Sequence, residues 1–296
     1  MMNLLAFDIG GTSVKYGLVD PLGTVTGSGS FPTPPSLDQL LRNICMVFTE
    51  IGADAAAISS PGAVDSATGF VHGVSAIPYL HGPNIRELIA NTLHAPVEIE
   101  NDANCAALAE LELGEAADIN DCIVIVIGTG VGGTVIKNRT IHRGAHNSAG
   151  EFGLIITDGN PDTGDRHVWS YYSTVKTIRH AEEEAGLAAG SLTGEELFSG
   201  AASNRIYAKH VGRFYTAAAI GTLTLQQIYD PERILIGGGI SARPELISQI
   251  NRYIDDVIGP YRSAFVKPDL RTSRFRNHAN LVGAACHFRS LHGELL

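Results

Sequence analysis

Residues 4–19 read Leu-Leu-Ala-Phe-Asp-Ile-Gly-Gly-Thr-Ser-Val-Lys-Tyr-Gly-Leu-Val, and this stretch decides the fold. The apolar run Leu4–Ile9 is followed by a Gly-Gly-Thr turn and then by a second run, Ser13–Val19. Short apolar runs bounded by turn residues predict buried strands. Residues 23–27 continue the pattern, so we expect a three-stranded meander at the start of the chain.

Residues 122–137 repeat this order as Cys-Ile-Val-Ile-Val-Ile-Gly-Thr-Gly-Val-Gly-Gly-Thr-Val-Ile-Lys. An apolar strand again leads into a Gly/Thr-rich turn and a second strand, and another turn follows at Asn138 and Arg139. Two long units of this kind indicate an internal duplication rather than a short solenoid repeat. The sequence therefore predicts an α/β fold with two related domains, each a mixed sheet with helices, that face a central cleft.

Apolar residues at helical spacing predict the helices between and after these units. Because no linker rich in Pro or Ser divides the chain, the boundary near residue 110 depends on the duplication alone. The predicted helices are 37–51, 85–93, 104–113, 175–185, 194–202, 208–229, 244–257 and one from residue 280, and further strands are expected at 55–59, 96–100 and 233–236.

Composition excludes several classes of protein. The 21 basic and 31 acidic side chains give 21 − 31 = −10, which argues against a general nucleic-acid or membrane-surface binder. The longest apolar run, residues 122–127, is far shorter than the roughly 18 residues of a membrane helix. The N-terminus lacks the basic region of a secretory signal, and the four cysteines show no CxxC spacing. We therefore expect a cytoplasmic protein with reduced thiols.

The turn after the first strand has the composition of a phosphate-binding loop. Gly10 and Gly11 let backbone N–H groups approach phosphate oxygens, and Thr12 adds a hydroxyl. Asp8, at the strand end, is suited to hold hydrated Mg²⁺. The alternative is a hairpin turn that Asp8 merely caps.

Two further glycine-rich segments favour a nucleotide. The turn from Gly128 to Gly133 supplies donors from the second domain, as a triphosphate lying between two domains requires. The segment Gly237, Gly238 and Gly239 follows a strand and suits close backbone approach by a flat base. Taken alone, that segment is equally well explained as a loop.

Two acidic segments are candidates for the acceptor side of a transfer reaction. Asp102 lies where residues 100–104 pass from a strand into a helix, so it is either an N-cap or a general base for an alcohol. Glu151 lies in a loop of small residues and either binds sugar hydroxyls or is solvated. The histidines show no metal-ligand spacing, and we assign none of them to a metal.

Together these motifs, in this order and over nearly the whole chain, resemble the ROK family of repressors and sugar kinases, within the actin-like ATPase superfamily. The resemblance implies ATP and Mg²⁺ as cofactors, Asp102 as the base for a sugar 6-hydroxyl, and a homodimer. It also implies two ribonuclease H-like domains: a sugar and phosphate domain, 1–110, completed by a helix at 280–296, and a larger nucleotide-binding domain, 111–279. The implied sugar ligands are Asn84, Asn101, Asp102 and Glu151, and the implied nucleotide contacts are Asp8 (through Mg²⁺), Gly10, Gly11, Thr12, Lys15, Gly128, Thr129, Gly130, Gly132, Gly133, Gly237, Gly238 and Gly239.

The sequence departs from the family pattern at one end of the implied sugar site. Leu154 stands where the family has a His, the cysteine cluster that binds zinc together with that His is missing before Thr174, and Ser170 replaces a Glu. We therefore predict no zinc. In the resembling sugar kinases that His and that Glu hydrogen-bond the hydroxyls around C1 and C2.

This departure leaves the identity of the sugar substrate open. A site that loses polar ligands loses its preference for the free hydroxyl that they paired. One hypothesis is an open, partly apolar subsite bordered by Leu154 and Trp169 that admits a C1 substituent, as in cellobiose or another β-glucoside. The alternative is an ordinary hexose substrate, as for a glucokinase, or an N-acetylmannosamine kinase.

Two other functional classes are disfavoured. The family's repressors carry a helix-turn-helix before the first phosphate motif, and we expect none here because that motif begins at Asp8. A non-catalytic sugar-binding sensor is the third class. The presence of Asp8, Lys15 and Asp102 argues against it, although a fold alone does not establish turnover.

Overall fold

A computed structural model describes residues 2–73, 75–146, 148–159, 164 and 166–293. The chain forms two compact units, each with its own five-stranded sheet. The first unit comprises Met1–Asp118, Ala145–Ser148 and Asn277–Leu296, and the second comprises Ile119–Gly144 and Ala149–Arg276. The α/β class expected from the sequence is confirmed.

The first sheet combines an antiparallel meander with two parallel strands, in the order β3-β2-β1-β4-β7. The first two strands meet with Asp8 opposite Lys15, and the first and fourth run parallel. A small hairpin, β5–β6, lies outside this sheet. The strands of this unit are β1 (Leu4–Ile9), β2 (Ser13–Val19), β3 (Val25–Pro32), β4 (Ala55–Ser60), β5 (Ala63–Asp65), β6 (Phe70–His72) and β7 (Val97–Asn101).

The second sheet has the same order and the same strand directions, as β10-β9-β8-β13-β14. This shared topology is what the duplicated sequence pattern predicts. A hairpin, β11–β12, was not expected from the sequence. The strands of this unit are β8 (Cys122–Ile127), β9 (Val131–Lys137), β10 (Thr140–His142), β11 (Ile156–Gly159), β12 (Arg166–Val168), β13 (Arg233–Gly237) and β14 (Leu270–Thr272).

The third strand begins later than residues 23–27 predict. The carboxylate of Asp20 accepts hydrogen bonds from the N–H groups of Leu22 and Thr24, at 2.9 and 2.7 Å. These bonds, with a backbone bond from Gly23 to Asp20, close a turn that ends before Val25. The strand therefore starts at Val25 and continues to Pro32.

Side-chain caps set several helix starts. Ser36 and Asn84 each accept a hydrogen bond from the third residue of the helix that follows. The sixth helix begins at Arg205 rather than at residue 208, because the Asn204 side chain accepts hydrogen bonds from the N–H groups of Ile206 and Tyr207. The helices are α1 (Leu37–Ile51), α2 (Ile85–Leu93), α3 (Asp102–Leu113), α4 (Thr174–Ala185), α5 (Gly194–Gly200), α6 (Arg205–Tyr229), α7 (Leu246–Ile258) and α8 (Ala279–His292).

Each unit has its own apolar core. In the first, α1 and α2 pack on the sheet, and α8 packs on α3 and on β1, β4 and β7. In the second, the long helix α6 packs against α4 and α7. Among the described residues, no helix combines the length and apolar composition needed to cross a membrane.

Candidate active site

The first glycine turn joins β1 to β2 and is held from outside the turn. Gly10 N–H donates to the Ser13 carbonyl at 3.0 Å, and the Thr33 hydroxyl donates to the Gly10 carbonyl at 2.5 Å. Gly11 and Thr12 are exposed, as is Lys15 on the next strand. The turn thus exposes backbone and hydroxyl groups to solvent, while hydrogen bonds of Gly10 hold its conformation.

The Asp8 carboxylate, at the end of β1, is oriented by two donors. Ser59 Oγ and Asn280 Nδ2 each lie 2.9 Å from Asp8 Oδ1. Neither partner was identified from the sequence. The sequence signal for Ser59 is that two serines end an otherwise apolar strand. Asn280 lies in the last helix, and no sequence pattern connects it with Asp8.

Asp102 is the first residue of α3, and the N-cap is its neighbour. Asn101 Oδ1 accepts from Asn104 N–H at 3.1 Å, whereas Asp102 Oδ1 accepts from Ala103 N–H at 2.8 Å. The interpretation of Asp102 as the cap is therefore wrong. Because Asn101 already caps the helix, the Asp102 carboxylate is not needed for that role.

Burial raises the pKa of the Asp102 carboxyl to about 6, and the nearby charge of Asp8 acts in the same direction. Hydrogen bonds from Ala103 N–H and from the Asn101 amide oppose the rise. A carboxyl with this pKa is ionised at neutral pH and still binds a proton more readily than an ordinary aspartate. Those are the properties of a general base for an alcohol.

The buried Glu100 supports this segment, a role that sequence reasoning missed. Its Oε1 accepts from Asn101 N–H at 2.7 Å and from the Asn104 amide at 2.9 Å. The Asn101 amide also donates to the Gly62 carbonyl at 2.8 Å and to Asp102 Oδ1 at 3.0 Å. These bonds fix the backbone and the side chains on both sides of Asp102.

The other implied sugar ligands lie in different settings. The Asn84 side chain caps α2, accepting from Glu87 N–H at 3.1 Å, and donates to the Thr68 carbonyl at 2.9 Å. Glu151 belongs to the second unit and is exposed, just before a short 3₁₀ turn. Asn84, Asn101 and Asp102 belong to the first unit.

The second glycine turn connects β8 to β9 in the second unit. Gly128 N–H donates to the Gly130 carbonyl at 2.9 Å, and Thr129 and Gly130 are exposed. Gly132 and Gly133 lie within β9 rather than in the turn. The accessible part of this turn is therefore shorter than the sequence motif.

The third glycine segment ends β13 and borders a cavity of about 600 Å³ within the second unit. Gly238 has a φ of +86°, and a Cβ there would lie 2.2 Å from the Ile127 carbonyl oxygen. Only glycine fits this position. The cavity walls include Gly239, Ile240 and the ring of Phe198, over which the Arg243 guanidinium lies 4.9 Å from the centroid.

Trp169 does not border a subsite, contrary to the sequence-based expectation. It is 1% exposed, and α6 approaches it so closely that a Cβ on Gly221 would lie 2.4 Å from its ring. Ser170 is also engaged, because its Oγ lies 3.0 Å from Val131 N. Leu154, by contrast, is 69% exposed.

The described residues between Leu154 and His180, where the sequence predicts no zinc, are linked by aromatic contacts. The rings of His167 and His180 lie 4.2 and 4.4 Å from that of Tyr171, and Tyr172 Oη donates to Asp158 at 2.5 Å. Within the described ranges, no group of three or more His, Cys, Asp or Glu side chains has the arrangement of a metal site.

Comparisons with known proteins give a consistent result. A Beta-glucoside kinase of Listeria monocytogenes is 33% identical over 293 residues, which cover 97% of each chain. The crystal structure of a ROK family protein from Streptococcus pneumoniae in complex with sucrose matches with a TM-score of 0.89 at 32% identity, covering 98% of this chain and 99% of that one.

A ROK family glucokinase from Streptomyces griseus, in complex with glucose and AMPPNP, matches with a TM-score of 0.81 at 25% identity, covering 97% of this chain and 99% of that one. A model of the ROK family matches residues 4–290. The motifs, the two sheets of common topology and this match over nearly the whole length agree, and the chain belongs to the ROK family.

Proposed function

We propose that this phosphotransferase moves the γ-phosphoryl group of ATP to the 6-hydroxyl of a β-glucoside such as cellobiose. The observation that carries the proposal is the Asp102 carboxyl, whose pKa is raised to about 6 while Asn101 caps the helix in its place. A base with this pKa is ionised at neutral pH and accepts the proton as the hydroxyl attacks phosphorus.

Four side chains hold the sugar in this proposal. Asn101 and Asp102 bind the hydroxyl groups near the reacting carbon, and Asn84 and Glu151 bind the remaining ones. Asn84 keeps free capacity for this, because an amide carries two N–H donors and two oxygen lone pairs, and its hydrogen bonds to the described residues Thr68 and Glu87 occupy one of each. Glu151 is exposed and acceptor-only, as binding of sugar hydroxyls requires.

The nucleotide binds through backbone groups and one cavity. The exposed turns at Gly11 and Thr12 and at Thr129 and Gly130 donate N–H groups to phosphate oxygens, and Lys15 neutralises part of the phosphate charge. The adenosine occupies the cavity beside Gly239, where apolar and aromatic walls suit a flat base.

Asp8 is suited to magnesium in its donor chemistry. Both of its hydrogen bonds are to Oδ1, and Oδ2 accepts none from another described residue. A free carboxylate oxygen fits Mg²⁺, which proteins usually hold through one or two carboxylates with waters and substrate phosphates. When bound, the ion neutralises charge that develops on the phosphates.

Acceptance of a C1 substituent is supported by three observations. Leu154 is exposed where the family has a polar His, so one partner for a free anomeric hydroxyl is absent. The Listeria relative is named as a kinase of β-glucosides, and the Streptococcus relative was solved with sucrose, itself a glycoside. With Trp169 buried, Leu154 is the one of the two predicted subsite residues that remains exposed to supply an apolar edge.

Homodimerisation and a cytoplasmic location stay predictions. The dimer is tested by light scattering of the purified protein, with and without ATP. A mass near 31.3 kDa would contradict it, and twice that mass would support it.

The function is tested by ATP-dependent ADP release with a matched panel of sugars. Cellobiose and methyl β-glucoside are compared with methyl α-glucoside, glucose and N-acetylmannosamine. We expect the highest kcat/KM for the β-glucosides, and Asp102→Asn, with strongly reduced turnover, is the control. Turnover of glucose or N-acetylmannosamine alone would replace the β-glucoside assignment with a free-hexose kinase. No ADP release with any of the sugars would favour a sugar-binding sensor.

A further inference from the structure

We infer that Ser170 and Ser173 are positioning residues that hold the second glycine turn in the conformation that binds nucleotide phosphates. The inference rests on the proposed function. Both serines belong to the segment before and at the start of α4, which is hydrogen-bonded to the turn between β8 and β9. Their hydroxyls contact the backbone of the turn rather than a substrate.

Three hydrogen bonds join this segment to the turn. Ser170 Oγ accepts from Val131 N–H at 3.0 Å, and Ser173 Oγ donates to the Thr129 carbonyl at 2.8 Å. The backbone N–H of Val175 donates to the Gly128 carbonyl at 3.2 Å. Three of the four residues from 128 to 131 are therefore anchored to one short segment.

The bond made by Ser173 is unusual for its position. Ser173 is the N-cap residue of α4, where a serine hydroxyl normally accepts from an N–H of its own helix. Here no such bond forms, and the hydroxyl is used 44 positions away, on Thr129. The helix therefore lacks a side-chain cap bond, and the Ser173 hydroxyl stabilises the turn instead.

These anchors determine which groups the turn presents. In a trans peptide the carbonyl of one residue and the N–H of the next point in opposite directions. Since the carbonyls of Gly128 and Thr129 point toward α4, the N–H groups of Thr129 and Gly130 point away from it. Both of these residues are exposed, and neither N–H donates to another described residue. The turn therefore offers two donors to an anion and turns its carbonyl dipoles away.

Burial separates this role from direct contact with a ligand. Ser173 is fully buried, so its hydroxyl does not reach solvent. Ser170 Oγ is enclosed by the turn and by the 3₁₀ segment, where a Cβ on Gly153 would lie 2.1 Å from it. The structure thus gives Ser170, which stands where the resemblance implies the loss of a sugar-binding Glu, a partner in the backbone of the turn.

The test measures binding without turnover. ATP and adenosine are titrated by calorimetry into the full-length wild type, Ser170→Ala and Ser173→Ala, without sugar. We expect each variant to bind ATP about 3- to 10-fold more weakly, as the loss of one hydrogen bond predicts, and to bind adenosine unchanged. The matched control is Thr222→Ala, which removes a buried hydroxyl bonded only within α6 and leaves both affinities unchanged.

Other results would overturn the inference. Unchanged ATP affinity in both variants, or equal losses for ATP and adenosine, would show that the serines do not orient phosphate donors. In steady-state kinetics of the same variants, a rise in the KM for sugar alone would assign Ser170 to the sugar site instead. A wild type that binds neither ATP nor adenosine would remove the proposed function itself, whereas normal wild-type binding with unaffected variants would remove only this inference. Ser170 is less buried than Ser173, so Ser170→Ala keeps the test decisive if Ser173→Ala does not fold.

Discussion

The side-chain amide of Asn280 donates a 2.9 Å hydrogen bond to Asp8 Oδ1, across 272 positions of the chain. Ser59 Oγ donates to the same oxygen at the same distance. Two donors on one oxygen fix the rotation of the carboxylate and leave the second oxygen available. The last helix therefore takes part in the candidate site, although its residues lie far from every motif in the sequence.

Asn280→Ala removes one of the two donors that orient Asp8. We expect kcat to fall about 3- to 10-fold, because the net value of one hydrogen bond lies in that range. Asn43→Ala is the control, since it removes a side-chain amide on the surface of α1 in the same unit. Steady-state kinetics of the two variants check this, and equal kcat values would show that the orientation of Asp8 does not limit turnover.

Asp102→Asn keeps the shape of the side chain and removes the base. We expect kcat to fall by about 10² to 10⁴-fold, the usual value of a general base, with sugar affinity retained. The helix should persist, because Asn101 supplies its cap. Rates from rapid-quench experiments and sugar titrations followed by fluorescence check the two halves of the prediction. A variant within a few-fold of wild-type turnover would exclude Asp102 as the base.

The pH dependence of turnover follows from the same group. Asp102 accepts a proton only when ionised, and burial raises its pKa to about 6. We therefore expect kcat/KM to rise with pH through about 6 and to level off above it. The residual activity of Asp102→Asn should lack this step. A wild-type profile that is flat between pH 5 and 8 would contradict the assignment.

Gly283 allows α8 to lie directly on α3. A Cβ at this position would lie 1.6 Å from the Cys105 carbonyl oxygen, which is backbone and cannot rotate away. We expect Gly283→Ala to lower the free energy of unfolding by at least about 1–3 kcal/mol, as overpacking does. Gly212→Ala, whose Cβ would meet only the Tyr253 hydroxyl at 3.4 Å, is the helical control. Urea denaturation of both variants tests the contact, and similar midpoints would contradict it.

Local sequence signals predicted much of the fold. The strand β1 and the helices α1 and α2 have the predicted bounds, because periodicity and caps act within a few residues. Among the start positions that differ from the prediction, α6 begins at Arg205, after the Asn204 cap, and β3 begins at Val25, after the turn that Asp20 closes. The hairpins β5–β6 and β11–β12 are too short to show a period.

The sequence predicts the motifs of the candidate site but not the residues that hydrogen-bond to them. Asp8 and Asp102 stand out because each is an acidic residue at the junction of a predicted strand with a turn or a helix. The contacts of Ser59 and Asn280 depend on tertiary structure, which spacing does not reveal. Trp169 was misread for a related reason: whether an aromatic side chain faces a pocket or the core depends on its neighbours, here Gly221 on α6.

Transfer of phosphate to the 6-hydroxyl of a β-glucoside is tested by comparing methyl β-glucoside with its 6-deoxy analogue. With ATP and Mg²⁺, we predict one ADP per methyl β-glucoside consumed, and a ³¹P-coupled carbon signal at C6 of the product. The 6-deoxy compound should compete for the site and release no ADP. Phosphate at any other carbon, ADP release with the 6-deoxy compound, or no product from methyl β-glucoside would contradict the account.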